Sequence, residues 1–584
     1  METNGSRSFV GVRAGVPLGT AGIETTRRVH RRCHRPNMST QPWDVVIVGA
    51  GLSGLSAARY LRERDARLRV LLLEGKDRVG GRTVTLQIPA AHGDDSWDFG
   101  GQWVSSSQTS VMELIQELGL EVYPQSTTGK KVYHMGGSRA PVRTYTSSIP
   151  SLPPLALLDL TQVMWKIDRL LQTVCVEDPV SAPRALEYDS MTLHSFIERN
   201  VWTQSLLAVV KEALELSTRS VFGMEPAQMS FLYFLMYCAA AGGALRLLEA
   251  TPGSAQEFRV KGGTQQLCVR LAELIGWENV RLSCAVKAIR QYPDGIQVHT
   301  SSDSFDCKAV IVTCPPHLAA QIEYDPALPT ERQRLTQNMP VGHMIKFIVT
   351  YSTAFWRVKG FSGEMVVQPS EDCPICVTYD CTSPHGNPAL VGFIAGKQAA
   401  DWSHRAVEDR REAVIRSLAR YLGPEASHFI HYAEKDWAKE DYSGGCPVNV
   451  MMPGMLTYYQ PSLRRPCGRI YWAGTESATC WCGYMNGAIQ SGQRAALEVL
   501  ERLSPQLLSQ DELIEARASA ASPPRSRGLP PPWCRRPVCF AAAVVALGAA
   551  LLLARHGGWH AAIGRVSAFL QSVGSAQLLN GLKR

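Results

Sequence analysis

Along this chain, short continuous apolar runs alternate with longer stretches of helical spacing. Residues 45–48 form an apolar, β-branched run with the length of a buried strand, residues 55–64 have helical composition, and residues 70–73 form a second apolar strand. From about residue 121 to 245 helical patterns take over, at 155–171, 193–216 and 229–241, with prolines at 150–154 and 179–183 as punctuation. Strand character then returns. Gly262 and Gly263 precede a helix at 265–275, strands are expected around 280–289 and 296–300, and residues 309–313 form a continuous strand ended by Cys314, Pro315 and Pro316. Further strands are expected at 345–351, 390–394 and 470–473, with a helix at 407–422 and an amphipathic helix following Met485. This alternation predicts an α/β protein with inserted segments.

The first strand–helix–strand unit carries chemistry. Gly49, Gly51 and Gly54 stand in G-x-G-x-x-G spacing between strand and helix, and the second strand ends at Glu74. The first glycine makes the tight turn, the second lets a pyrophosphate approach the backbone, and the third lets helix pack on strand. The helix N-terminus offers free N–H groups to phosphate, and Glu74 can bond ribose hydroxyls. Gly80, Gly81 and Arg82 add a second glycine pair and an arginine close to the first phosphate site, and Asp98 to Val104 (DFGGQWV) is a candidate loop beside the cofactor.

Charge locates the ends. Residues 1–40 carry seven arginines against two acids, and residues 523–584 carry eight basic residues and no acid. The net charge of +8 therefore belongs to the termini, and a mildly acidic body argues against nucleic acid as a partner. Residues 1–43 are expected to be a basic extension, either presequence-like or a leader before a start at Met38. Residues 504–536 are a proline-bearing linker, and residues 537–554 are eighteen positions without charge, bounded by Arg535, Arg536 and Arg555. At 1.5 Å rise that run spans roughly 27 Å, the reach of a transmembrane tail anchor, with 555–584 as a short basic tail. Sixteen cysteines in a chain of this length are expected to be mostly reduced thiols. Cys373 and Cys376, or Cys480 and Cys482, lack a second pair at zinc-ribbon spacing, so no metal site is expected.

The stretch 436–447, DWAKEDYSGGCP, and the stretch 469–500, RIYWAGTESATCWCGYMNGAIQSGQRAALEVL, decide the family. With GAGLSGL and RVGGRT in the same order, the chain resembles the flavin-containing monoamine oxidases of the amine oxidase superfamily over roughly residues 44–503 and in its tail-anchor layout. The resemblance implies a Rossmann-like FAD-binding domain (44–120, 245–332 and 436–503) with an inserted α+β substrate domain (121–244 and 333–435). It implies FAD held by Gly49, Gly51, Gly54, Glu74, Gly80, Gly81, Arg82, Gly474, Thr475, Glu476 and Met485, and tethered through Cys446 by a thioether to the flavin 8α carbon. Lys346 matches the lysine that holds a water near the flavin and assists reoxidation by O2, a role consistent with a lysine otherwise hard to satisfy between apolar strand residues. Trp437 matches the tryptophan beside the flavin, and Tyr484 matches one of two aromatic rings that flank the substrate nitrogen.

The sequence departs from that pattern at the substrate. The second ring of the cage is replaced by Pro447, a polar glutamine falls at Ala240, and an aromatic gate falls at Val377, whereas Phe393 is kept. These changes enlarge or depolarise the pocket, so a bulkier or different amine is expected. The resemblance implies O2-dependent oxidation of a small-molecule amine to an aldehyde, with hydrogen peroxide released, by an enzyme on the mitochondrial outer membrane facing the cytosol. A homodimer is left open. Two alternatives stand beside it: a polyamine or L-amino-acid oxidase of the same superfamily, and a membrane-tethered flavoprotein that has lost catalysis.

Overall fold

The computed structural model describes residues 42–137, 140–146, 152–202 and 207–520. The basic extension up to residue 41, the second half of the linker, the expected anchor at 537–554 and the tail at 555–584 lie outside the described residues. Among the described residues no helix is long and apolar enough to cross a membrane. The fold is mixed α/β.

Two large sheets organise it. In the first, Trp43–Val48 lies between Val70–Leu73 and Ser304–Val312 with parallel pairing on both sides. Such strands are covered on both faces, which is why Val45, Val46 and Ile47 have no exposed surface. Ser304–Val312 is longer than the apolar run within it. Its polar first half pairs antiparallel with Ile296–Thr300, while Val310, Ile311 and Val312 pair parallel with Ile470–Trp472. Alternating apolar content reveals the buried half and hides the hairpin half.

The second sheet runs in the order Phe429–Asp436, Met344–Tyr351, Ala389–Ala395, Val377–Asp380, Phe361–Val367, Lys130–His134, Arg143–Tyr145. Its register puts Lys346 opposite Phe393, and Phe393 opposite Val377. Directly paired residues project to one face, so these three side chains form a row across one surface of the sheet.

One expected helix divides. Residues 193–216 contain Leu193–Asn200, whose N-terminus is capped by Thr192 accepting from Ser195 N at 3.0 Å, and the start of a separate helix, Leu207–Phe222. Val201 takes extended backbone between them, so continuous helical periodicity conceals a break. The helices Gln265–Ile275 and Val407–Leu422 match the sequence pattern at both ends.

Three glycines in this frame leave no room for a side chain. Gly49 has φ +104°, and a Cβ added at Gly54 would lie 2.1 Å from Gly49 O. Gly492, on Met485–Leu503, would place a Cβ 2.2 Å from Ser53 O, which is how that helix crosses tightly over Leu52–Arg64. Gly54→Ala must therefore push the Gly49 turn out of place. Protein carrying it is expected to purify with little of the FAD that the resemblance implies, checked by visible absorbance per polypeptide.

Candidate active site

A cavity of about 420 Å³ runs from the carboxyl end of the first sheet to the face of the second. At one end Glu74, at the tip of Val70–Leu73, lines it together with Gly49, Gly51, Gly80 and Gly81. The Glu74 carboxylate is locked in place, accepting from Ala50 N at 2.7 Å and Lys76 N at 2.9 Å. The helix Leu52–Arg64 opens here with Gly51 at its N-cap and no side-chain cap, so its first N–H groups are left for a ligand.

At the other end lie Lys346, Trp437, Cys446, Pro447, Thr475, Tyr484 and Met485, while Gly474 lines the cavity beside the first end, its N–H donating to Ser53 Oγ at 2.9 Å. Met485 begins the helix Met485–Leu503, again without a side-chain cap. The wall between the two ends is closed by one ion pair. Arg82 Nη1 donates to Glu476 Oε1 at 2.6 Å and Nη2 to Oε2 at 3.0 Å, a two-pronged grip, while Nη1 also donates to Pro447 O at 2.7 Å. Burial pulls the Arg82 guanidinium down, but Glu476 more than offsets it. Burial likewise pushes the Glu476 carboxyl up, and Arg82 brings it below the usual carboxylate range. Glu476 itself does not line the cavity, and Gly54 sits behind the turn it permits.

Lys346 is buried and donates from Nζ to Gly100 O at 3.0 Å and Gln102 Oε1 at 2.8 Å. Burial drops its pKa to about 8, opposed by the buried carboxyl of Asp98. Trp103 and Phe393 flank it, with Nζ 5.8 and 5.6 Å from their ring centroids. Trp437 is fixed by Nε1 donating to Phe99 O at 2.9 Å. Cys446 is a free thiol whose pKa burial pushes up to about 12, although Arg82 and Lys346 pull it down. Its N–H donates to Gly342 O at 2.9 Å. A Cβ at Gly445 would come within 2.5 Å of that same oxygen, so the glycine before Cys446 is what lets the two chains meet.

At the substrate end the expected pocket residues divide. Ala240 does not line the cavity: it is buried near the end of Phe231–Ala240, in the helical core, where its carbonyl accepts from Trp481 N at 2.8 Å. The glutamine at this end is Gln256, from the loop before Phe258–Val260. Its Nε2 donates to Leu247 O at 3.1 Å, and its Oε1 is buried without a hydrogen-bond partner. That loop is brought here by the pairing of Phe258–Val260 with Trp103–Val104, which no local pattern shows.

Val377, Phe393 and Pro447 do line the cavity, as does Tyr379, two residues along the Val377 strand. Tyr379 meets Trp103 edge-on with centroids 5.2 Å apart. Tyr484 packs edge-on against Trp481 at 5.0 Å and lies 6.3 Å from Tyr237, inclined by 43°. Tyr237 thus adds a second ring near Tyr484, but from the helical side rather than across the space at Pro447. Sequence reasoning did not single out Gln256, Tyr237 or Tyr379, and it took Trp103 only as an aromatic in its loop.

These residues fit FAD. The cavity has uncapped helix N-termini at both ends, glycines where a Cβ would obstruct, an acid where a ribose is expected, and a buried Gln102 Nε2 with no protein acceptor. Among the described residues no group of three His, Cys, Asp or Glu side chains is placed to hold a metal.

Comparison with known proteins matches residues 52–500 to the family model for flavin containing amine oxidoreductase. The chain is 38% identical over 472 residues to horse (Equus caballus) amine oxidase [flavin-containing] A, covering 80% of this chain and 87% of that protein. It is 36% identical over 484 residues to dog (Canis lupus familiaris) amine oxidase [flavin-containing] B, covering 82% and 90%. Among solved structures, cyclohexylamine oxidase from Brevibacterium oxydans IH-35A aligns with a TM-score of 0.73 at 30% identity, covering 79% of this chain and all of that one. Putrescine oxidase bound to putrescine aligns with the same TM-score and identity over 79% of this chain and 99% of that one.

Proposed function

The chain belongs to the flavin-containing amine oxidoreductases, and from that premise we propose that it deaminates a bulky primary or secondary amine using FAD tethered through Cys446. Bound in this cavity, FAD supplies the acceptor for the two electrons of the amine C–H bond and the site at which O2 becomes hydrogen peroxide. The protein binds, orients and desolvates.

The observation that carries the substrate reading is the shape of the far end. Pro447 and the small Val377 line the cavity together with Tyr484, Phe393 and Tyr379, so two of the lining positions carry no aromatic ring. An apolar lining disfavours ammonium, so the amine is held in its neutral, reactive form. The free Oε1 of Gln256 gives that end an acceptor for a substrate N–H or O–H, since a buried unpaired carbonyl costs about 1–3 kcal/mol until it is bonded.

The proposed roles are these. Lys346, Trp437 and Tyr484 are the catalytic group: Lys346 brings a cation and a proton donor to the O2-reacting edge, Trp437 walls the ring, and Tyr484 orients the amine. Gly49, Gly51, Gly80, Gly81, Glu74, Gly474, Thr475 and Met485 hold the cofactor, with Arg82 and Glu476 closing the wall. The charge-free run 537–554 supports a tail anchor in the outer mitochondrial membrane, with the catalytic body in the cytosol.

The test is peroxide release by the purified yellow protein across a panel of amines, paired with acid precipitation. Larger arylalkylamines are expected to exceed phenethylamine in kcat/KM, and wild-type polypeptide to keep its flavin after washing while Cys446→Ser loses it. A preference for phenethylamine removes the bulky-substrate reading, and a colourless wild-type precipitate removes the tether.

A further inference from the structure

One histidine joins both feet of the segment that presents Cys446. His317 lies on the short helix Pro316–Ala319, just beyond the strand Ser304–Val312. Its Nε2 is 2.9 Å from Ser443 O, three residues before the cysteine. Its Nδ1 is 2.9 Å from Asn449 Nδ2, three residues after it. A carbonyl oxygen can only accept, so Nε2 carries a proton and donates. Burial lowers the imidazole pKa and favours the neutral ring, in which Nδ1 accepts from Asn449 Nδ2, with Oδ1 of the same amide 3.1 Å away.

Both feet are themselves anchored. Asn449 is fully buried, spends its other amide proton on Met339 O at 2.5 Å, and donates from its main chain to Glu476 Oε1 at 3.3 Å. Ser443 is 2% exposed and accepts at Oγ from Lys76 Nζ at 3.1 Å. Gly444, with φ +63°, lets the imidazole come close, since a Cβ there would lie 3.2 Å from Nε2. The loop between the feet rests on Gly342 through Cys446 N, so the position of Sγ is set from three sides.

We infer that His317 is a positioning residue for the bond between Cys446 and flavin, an inference resting on the tether reading above. Making that thioether breaks the Cys446 S–H bond and one C–H bond of the flavin 8α methyl and forms one S–C bond. The two electrons and two protons left over pass to O2 as hydrogen peroxide, the oxidant that turnover already uses. His317 does not touch the thiol. It holds the loop so that sulfur and methyl carbon meet, and reactions of this kind lose rate steeply when the partners shift by an ångström.

The experiment uses the full-length purified protein and compares flavin retained by acid-precipitated, washed polypeptide with total bound flavin and with the thermal midpoint. His317→Leu and Asn449→Leu remove the link from either side, while His317→Gln keeps a donor and an acceptor at similar spacing. The acid-resistant share is expected to fall about tenfold in both leucine variants and to recover in the glutamine variant, with total flavin and midpoint held in the His317 variants. Asn449→Leu also strands Met339 O, so its midpoint falls and it is read by the ratio of acid-resistant to total flavin. An unchanged share in His317→Leu overturns the inference. So does a parallel fall in total flavin and midpoint without rescue by glutamine, which would make the histidine a support of the fold alone. A wild type without acid-resistant flavin shows itself in the control and removes the tether reading, and this inference with it.

Discussion

Lys346→Met is expected to slow the reaction with O2 by about two orders of magnitude while leaving anaerobic reduction by amine unchanged. The argument rests on placement. In its row Lys346 stands between Phe393 and Lys435, whose ammonium is paired with Glu440, so Lys346 is the one of the two lysines that lines the cavity, held against Gly100 O and Gln102 Oε1 beside Trp103. A cation in a desolvated site stabilises charge developing on oxygen far more than the same cation in water. Because burial lowers the lysine pKa to about 8, the ammonium is present below that pH and lost above it. The wild-type O2 step should therefore weaken as pH rises through about 8, and the methionine variant should show no such inflection. Stability carries the opposite sign. Between about 8 and the unfolded value of 10.5 the unfolded chain binds a proton the folded chain has released, so this site makes the wild type more stable as pH rises through that window. Stopped-flow reoxidation against O2 concentration at several pH values checks the first claim. If reduction slows and reoxidation does not, Lys346 acts on the amine instead.

The same row shows what a sequence can and cannot disclose. The G-x-G-x-x-G turn at Gly49, Gly51 and Gly54 is legible because its demands are local: a positive φ at Gly49 and a contact five residues away. The strands bearing Lys346 and Phe393 are legible from apolar runs, but their being neighbours is a matter of register, which pairs residues 47 positions apart. Gln256 was missed for that reason. Its loop is brought to the cavity by Phe258–Val260 pairing with a strand of two residues, Trp103–Val104, too short to leave a periodic trace. His317 was missed for a different one: a histidine after two prolines is unremarkable until its two nitrogens are seen to bond Ser443 and Asn449. The break at Val201 is a third case: both halves of the predicted helix are helical, and a single extended residue leaves no trace in the periodicity.

Glu476→Gln is expected to cost about 3–5 kcal/mol and most of the bound flavin. Glu476 is 4% exposed and answers three donors: both Nη groups of Arg82 and the Asn449 N–H. Glutamine keeps one carbonyl oxygen but turns the other acceptor into an N–H₂ that faces the guanidinium, leaving a buried cation without its charge partner. Arg82 also donates to Pro447 O, so the disturbance passes directly to the peptide that follows Cys446. The pair contributes to acid resistance as well. The folded-state pKa of Glu476 lies below the ordinary carboxylate value of 4.5, so its contribution is present above that value and lost as pH falls through the folded one. The variant should accordingly show a shallower loss of thermal midpoint between neutral and acidic pH, from a lower starting point. The double replacement Arg82→Met with Glu476→Leu separates the two consequences, because an apolar pair of similar volume restores stability without restoring a donor to Pro447 O. Its midpoint should return towards wild type while its acid-resistant flavin stays low. A double variant that regains both would reduce the pair to a buried support, and Arg82 would then have no part in setting the Cys446 loop.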